Sequence, residues 1–510
     1  MILKLTPEQA ANEYEIKQAM ERETHCKVRS FRIIKKSIDA RGRSVSVLLN
    51  VEPADAPLKY ENRFEYKDVS NRPEVIIVGS GPAGLFCALR LIELNIRPIV
   101  LERGKEVLPR KQDIALQNRN VAFDSESNYC FGQGGAGTFS DGKLYTRSKK
   151  RGNNQRIFEI FHAHGAQDEI LYEAHPHIGT DRLPEVIRRM SNTVTECGGE
   201  IRYNSRVDEL IIKDGCVKGV KINGGEVCEC SRVVLATGHS ARDIYMMLDK
   251  QGITLESKGF ALGVRAEHPQ KLIDSIQYHR IISEYLPSAS YQLVSQVDGR
   301  GVYSFCMCPG GFIVPASTEN EHIVVNGMSS SQRNSPFANS GIVVEVRPED
   351  LPEEYQKYGA LAGLIFRDDI EHTAFVNNGG GIQTAPAQRI GDFVKGKVSF
   401  DLPQCSYLPG IVSSPLHFWL PDIISKRLRQ GFREFDKKMH GYLTNEALIV
   451  GVESRSSSPI RIPRDSETLQ HPMVKGLYPA GEGSGYAGGI TSSAVDGERI
   501  AERIAYEIGF

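Results

Sequence analysis

Short apolar runs alternate with polar, glycine-rich gaps along this chain, and their periods predict where strands give way to helices. Up to about Ser70 the pattern is a strand, a helix opening at "TPEQ" with Thr6 as cap and Pro7 in its first turn, then "FRIIKKSID" and "SVSVLLNVE" joined by a turn at "ARGR". The proline-broken stretch "VEPADAPLKYENRFEYKDVSNRP" reads as a linker after this small α/β unit. At Glu74 a β-rich apolar run leads through Gly79, Gly81 and Gly84 into a helix and a second strand closing on Glu102, which is a βαβ unit. Farther on, "LPEVIRRMSNTVTECGGEIRYNSRV" predicts helix then strand, and "VDELIIKDGCVKGVKINGGEVCECSRVVLATG" predicts a meander turning at "KDG" and "NGG" and ending on a buried strand, Val233 to Ala236. From about Asp249 the pattern is less regular, with strands such as "HIVVNGM". One amphipathic helix stands out there, with Ile424, Leu428, Phe432, Phe435 and Met439 on a single face as core. The last segment returns to strand, glycine turn and helix. The expected organisation is a small N-terminal α/β domain (1–70), an α/β region in two parts (71–248 and 455–510), and an inserted α+β domain (249–454).

Composition narrows the class. A chain of 510 residues, 40% hydrophobic and 25% charged, suits a globular protein of about three domains at ~150 residues each. Lys and Arg (62) nearly balance Asp and Glu (63), so no global field favours nucleic acid, and the run "RSKKRG" at Arg147 to Gly152 is local. The N-terminus lacks a basic region followed by an apolar core and a cleavage site, and no run of ~18 uninterrupted apolar residues occurs, so a cytoplasmic chain away from membranes is expected. Ten cysteines without CxxC spacing read as reduced thiols, with CxC pairs at Cys228/Cys230 and Cys306/Cys308, and no metal site is expected.

The strongest chemical signal is the glycine motif, because it lies between a strand and a helix and an acid follows 18 residues after its third glycine. Gly79 permits the tight turn, Gly81 lets main chain touch a pyrophosphate, and Gly84 lets helix and strand pack closely. The helix N-terminus offers unpaired N–H donors to the anion, and Glu102 is expected to bind ribose hydroxyls.

"GSGPAGLFCA" and "VLERG", joined in order by "VVLATG" and "GLYPAGEGSGYAGGI", resemble the flavoproteins with two dinucleotide-binding domains. The blocks "SNYCFGQGGAGTFSDGKLYTR", "HPHIGTDRLPE", "GFALGVRAEHPQ", "FCMCPGGFIVPAS" and "GVESRSSSPIRI" are similar, more narrowly, to a bacterial family of uncharacterised FAD-dependent dehydrogenases. This resemblance implies a Rossmann-type, glutathione-reductase-like FAD-binding domain (71–248 and 455–510) with non-covalent FAD lying extended across it, and makes the inserted α+β domain (249–454) the substrate or cap domain. The AMP half would meet Gly79, Ser80, Gly81, Pro82, Ala83, Gly84, Glu102 and Arg103, and Val207 would meet adenine through its backbone. The flavin would lie near Thr237, Gly238 and the C-terminal turn Gly481, Glu482, where the superfamily most often has Asp. Gly134, Gly135 and Ala136 form a second flavin loop, and Arg110 adds charge to the pyrophosphate. Gly488, Gly489 and Ile490 open a helix whose first amides point at the flavin's N1 and O2.

Four side chains are candidates for catalysis. Lys143 places a cation near the flavin or pairs Asp141. His177, on a stiff loop with His175 before a helix that Thr180 or Asp181 caps, is a candidate acid or base. Glu453 reaches the reactive face if the family topology holds, and Arg455 recognises a substrate carboxylate or forms a structural ion pair. Cys306 and Cys308 share one strand face and read mainly as small packed groups. The function expected is hydride transfer between FAD and a small organic molecule, with NAD(P)H at most a transient donor because no second fingerprint is visible. The alternatives are a flavin-dependent RNA-modifying protein using "RSKKRG", and a redox-sensing, partner-binding flavoprotein. Oligomeric state and substrate identity are not readable from these features.

Overall fold

Val75, Ile76 and Ile77 are shielded on both faces, the environment of a parallel strand covered by helices. In the computed structural model, which describes residues 1–42, 44–56, 60, 63–146, 152–281 and 283–509, they belong to the strand Glu74–Val78 at the centre of a five-stranded sheet. Its order is Leu477–Pro479, Val233–Leu235, Glu74–Val78, Arg97–Leu101, Glu200–Arg202, and every pairing is parallel. The C-terminal strand thus returns to the sheet begun at Glu74. The helix Pro82–Glu93 makes the crossover, with Pro82 opening it where a missing N–H costs nothing. The helix Ile490–Ile508 packs so closely on it that a Cβ on Gly497 would stand 2.1 Å from the Ala83 carbonyl oxygen.

The meander forms a separate antiparallel sheet of Val207–Lys213, Cys216–Ile222 and Glu226–Glu229. Residues 2–54 make a three-stranded sheet with Ser46–Ala54 in the middle, covered by Ile16, Ala19 and Met20 of the helix Glu13–Thr24. Thr6 caps as its sequence suggests, but the helix it opens is only Pro7–Ala10, and Asn12 caps the longer one.

The stretch that looked irregular builds the largest sheet, seven strands ordered Val294–Val297, Arg300–Cys308, Phe337–Val346, Phe260–Pro269, Leu448–Glu453, Ala385–Arg389, Ile411–Ser413. Apart from the hairpin of Val294–Val297 with Arg300–Cys308, its paired strands are separated widely in sequence, so local pattern did not reveal it. The helix Asp422–Lys438 packs on it with Ile424, Leu428, Phe432 and Phe435 buried, and Met439 just beyond its end is buried too. Each such side chain contributes about 1.5–3 kcal/mol of burial.

Two local expectations change. Neither Thr180 nor Asp181 caps the helix Leu183–Glu196. Arg182 stands at the cap, and the Asp181 carboxylate instead accepts from Ser331 N at 2.6 Å and Ser331 Oγ at 2.7 Å, tying the His177 loop to the second sheet's connection. Cys306 and Cys308 do not share a face. Cys306 has φ 42° at a bulge in Arg300–Cys308, which leaves it exposed while Cys308 is buried. The basic run Arg147–Arg151 lies outside the described residues. Among the described residues, no helix is long and apolar enough to cross a membrane.

Candidate functional site

Main chain from four distant segments converges at the carboxyl end of the parallel sheet, and missing side chains make the approach possible. A Cβ on Gly135 would stand 2.9 Å from the Cα of Gly81, and one on Gly137 would touch the Ile490 side chain at 3.6 Å. A Cβ on Gly481 would meet that of Ala83 at 2.9 Å, and one on Gly79 (φ 102°) would lie 2.5 Å from the Ala236 oxygen and 3.3 Å from the Cα of Thr237. On Gly483 it would be 2.4 Å from the Gly238 oxygen. The fingerprint turn, the second glycine loop, the "ATG" turn and the C-terminal turn are therefore one site. Two helices begin here at Gly81 and Gly489, neither with a side-chain cap, so their first N–H groups are available to an anion. Gly488 and Gly489 are solvent-exposed, as is Ala136 in the second loop.

Two side chains expected on the ligand instead hold the loops together. Glu102 is buried, and its carboxylate accepts from Ser80 N at 2.9 Å, Ser80 Oγ at 2.7 Å, Gly104 N at 3.0 Å and Gly132 N at 3.0 Å. A carboxylate has about four acceptor positions, so none is left for a ribose hydroxyl. Ser80 continues the link, its Oγ accepting from Gly134 N at 3.2 Å. Arg110 is likewise buried, and its guanidinium donates to the carbonyls of Asn128, Tyr129, Gln133 and Gly135 at 2.8–3.0 Å. Burial pushes its pKa down to about 10. Arg110 shapes the glycine loop from behind rather than adding charge to a pyrophosphate.

Arg103 and Val207, by contrast, line a cavity of about 410 Å³ with Phe131, Ser240 and Arg242. The Arg103 guanidinium lies 4.2 Å over the Phe131 ring and pairs Glu126 and Asp243, each at 2.8 Å. The Glu482 carboxyl, in the C-terminal turn, makes no hydrogen bond or ion pair to the described residues, and burial, opposed by Lys258, raises its pKa to about 7. It is the acid at this convergence whose acceptors remain open.

Beyond the second glycine loop, three of the four catalytic candidates meet in one polar cluster. Lys143 Nζ lies 3.4 Å from Asp141 Oδ2 and donates to Cys308 Sγ at 3.3 Å. Burial opposes the lysine's charge, but Asp141 and the thiols outweigh it and raise its pKa. Asp141 also accepts from Ser329 Oγ and, at 2.8 Å, from Arg333. Although burial opposes its charge, Lys143 and Arg333 hold its carboxyl below the ordinary range. His177 bridges to Lys143 through the backbone, and its Nε2 lies 3.1 Å from the Ser331 carbonyl. Burial, then Arg333, push its pKa down to about 4, so the ring is neutral at physiological pH. Glu453 joins from the far side: Arg265 donates to it at 3.0 Å, to the Cys306 carbonyl at 2.7 Å and to Cys308 Sγ at 3.5 Å. Glu453 is buried and its pKa is raised by that burial, so it does not face open space.

Arg455 stands apart from this cluster. Its guanidinium donates to Glu371 Oε2 at 2.8 Å, Glu371 Oε1 at 3.2 Å and Thr318 Oγ1 at 2.5 Å, and Ser454 Oγ adds a bond to Glu371 at 2.6 Å. Its donors are committed to an internal ion pair, not to a substrate carboxylate. Sequence reasoning missed Arg265, Arg333 and Glu371, which carry no motif spacing; an arginine inside the apolar strand "GFALGVRAEHPQ" was the one signal available for Arg265. Glu319, His322 and Asp368 come close enough to share a cation, but Arg242 already pairs Glu319 and Asp368 at 2.7 and 3.0 Å.

Residues 259–456 match the family described as FAD-dependent protein, C-terminal domain-like, and residues 1–53 match a domain of unknown function. A thiamine thiazole synthase of Aeropyrum pernix is 26% identical over 185 residues, 33% of this chain and 56% of that one. Among solved structures, L-proline dehydrogenase from P. horikoshii aligns with a TM-score of 0.36 at 12% identity, over 86% of this chain and 94% of that one, too distant to bear on mechanism. An uncharacterised protein of Clostridium beijerinckii is 41% identical over 495 residues, covering 92% of this chain and 91% of its own. With one large polar cluster beside a glycine-lined convergence and that degree of likeness from end to end, this chain belongs to the family of the Clostridium beijerinckii protein.

Proposed function

We propose that this protein is an FAD-dependent oxidoreductase that moves a hydride between a non-covalently held flavin and a small organic substrate. In this reading, residues 71–248 and 455–510 form a Rossmann-type, glutathione-reductase-like cofactor domain, and 249–454 supply the substrate side. The observation that carries it is the convergence of the turns at Gly79, Gly134–Gly137, Gly238 and Gly481 on one place where side chains are excluded. The match of residues 259–456 to an FAD-dependent family supports the same cofactor. The donor set fits it too: the uncapped helix start at Gly81 suits a pyrophosphate, the one at Gly489 suits the flavin's N1 and O2, and the open Glu482 carboxyl suits a polyol or phosphate oxygen. The cavity at Arg103 and Val207 is of a size for an adenosine. When bound, the flavin supplies reversible two-electron chemistry at its N5.

The chain's own residues divide the remaining work. Glu102 and Arg110 fix the loops, so the main-chain donors need no reorganisation when the ligand arrives. Lys143 is held charged, with its side chain 33% exposed, and stabilises negative charge that develops beside it. His177 is neutral and positions its loop; it is not a general base near neutral pH. NAD(P)H remains a transient electron donor in this proposal.

An anaerobic visible spectrum tests it. The purified or FAD-reconstituted protein is expected to show the yellow band and to bleach on adding NADH or NADPH or a reducing substrate. A protein that stays colourless after incubation with FAD sinks the reading. Lys143→Ala is expected to keep the band and slow bleaching by about tenfold or more.

A further inference from the structure

A cleft of about 780 Å³ opens beside the C-terminal turn, lined on one side by Gly488 and by Ser492, Val495 and Arg499 of the helix Ile490–Ile508. The spacing of those three side chains, i, i+3 and i+7, puts them on one helix face. Four aromatic rings from three segments line the same space: Tyr145, Tyr303 and Phe305 of the strand Arg300–Cys308, and Tyr486, whose ring also carries the Arg464 guanidinium at 3.9 Å. The volume falls within the ~300–1,000 Å³ range of small-molecule sites.

The charges in this cleft do not balance. Asp496 is the one acidic side chain among the described lining residues, and it is already committed to Arg464 at 2.5 and 2.9 Å and to Gly481 N at 2.8 Å. Lys258 and Arg499 are the cations among the described lining residues. Lys258 Nζ donates only to the carbonyls of Gly259 at 3.3 Å and Ser458 at 3.4 Å, and the one carboxyl that acts on its charge, Glu482, makes no ion pair with it. Arg499 is half-buried, and its guanidinium makes no hydrogen bond or ion pair to any described residue. Its five donors meet water rather than protein, so they are free to take up an anion that enters the cleft. Aromatic walls favour a flat ring, and the forked donor favours a planar or tetrahedral oxyanion.

We propose that this cleft binds the organic partner of the reaction, and that the ligand is a flat conjugated ring system bearing a carboxylate or phosphate that Arg499 and Lys258 hold. Only the placing of this ligand beside a flavin rests on the function proposed above; the anion-and-ring recognition does not. Such chemistry comes from an aryl acid or from a nicotinamide dinucleotide, and the probes separate the two.

Full-length protein, both flavin-loaded and flavin-free, is titrated by calorimetry with trans-cinnamate, with neutral cinnamamide and with NADPH. At least one anionic probe is expected to bind, more weakly as salt rises, with cinnamamide about tenfold or more weaker than cinnamate if the aryl acid is the ligand. Arg499→Ala is expected to weaken the anionic probe by about ten- to a hundredfold and Arg499→Lys to recover part of that. Dependence on Arg499 seen with NADPH alone assigns the cleft to the electron donor. The proposal is overturned if neither anion binds, if cinnamate and its amide bind alike with NADPH inert, or if Arg499→Ala changes nothing. Should Arg499→Ala not fold, the acid-against-amide comparison and the salt dependence still decide. A protein that binds the anion but never turns yellow keeps the cleft and loses the flavin reading.

Discussion

Four protein donors surround the Glu102 carboxylate, three of them backbone N–H groups that no other acceptor meets. Glu102→Ala would leave them buried and unpaired, each at about 1–3 kcal/mol, so urea unfolding is expected to show a loss of about 3–5 kcal/mol, partly restored in Glu102→Gln. Flavin retention is expected to fall with it, through the shape of the loops rather than through a lost ribose contact. Glu482 gives a prediction of the opposite kind. Its carboxyl titrates near 7 in the folded chain against an ordinary value of 4.5. The folded state therefore keeps a proton that the unfolded chain releases, and stability falls as pH rises from about 4.5 through 7. In flavin-free protein, Glu482→Gln is expected to match the parent at pH 4 and exceed it by about 1–2 kcal/mol at pH 8, read as denaturant midpoints. The ribose role expected of Glu102 was drawn from its distance to the third glycine. That spacing locates the residue in the fold correctly, but Gly104 and Gly132, which take its acceptors, are brought to it only by the folded loops.

At the scale of elements, period was a reliable guide wherever the structure is local. The stripe Ile424, Leu428, Phe432, Phe435 is buried on the helix Asp422–Lys438 as its spacing requires, because 3.6-residue repetition is a property of the helix alone. Phe432→Ala is expected to cost about 3–5 kcal/mol in thermal or chemical unfolding while leaving the yellow band of folded protein unchanged. The βαβ unit at Glu74 and the meander from Val207 were equally legible, since each closes through short turns. Cys306 and Cys308 show the limit. A period of two puts them on one face, but a bulge with φ 42° at Cys306 turns one outward, and a bulge depends on the partner strand. The cap of Leu183–Glu196 failed for a similar reason, because Asp181 had a better donor in Ser331, 150 residues away.

Across the whole molecule, buried ion pairs join segments that the chain separates widely. Glu371, on the helix Ala362–Val376, holds Arg455 just after the strand Leu448–Glu453, and a second arginine, Arg367, lies 3.6 Å away. Burial alone would raise the Glu371 carboxyl, yet Arg455 and Arg367 pull it down to about 2. Its contribution is present above its ordinary pKa and lost as pH falls from about 4.5 towards 2. Removing one partner strands a charge in the interior, so Glu371→Gln is expected to cost about 3–5 kcal/mol at pH 7, checked by denaturant unfolding, with a smaller difference at pH 3.

What this sequence determined by itself is the set of glycine turns, the order of strands and helices around them, and the resemblance those motifs carry, because backbone conformation and periodicity are written into neighbouring residues. What only the tertiary structure decided is the work of the charged side chains. Glu102, Arg110, Glu453 and Arg455 turned inward to hold the frame, Lys143 was drawn to Asp141 and Cys308, and the Glu482 carboxyl and the Arg499 guanidinium were left without a partner among the described residues. A charge is assigned by whichever opposite charge or donor folding brings within about 3 Å, and those partners lie on strands and loops that no local pattern connects.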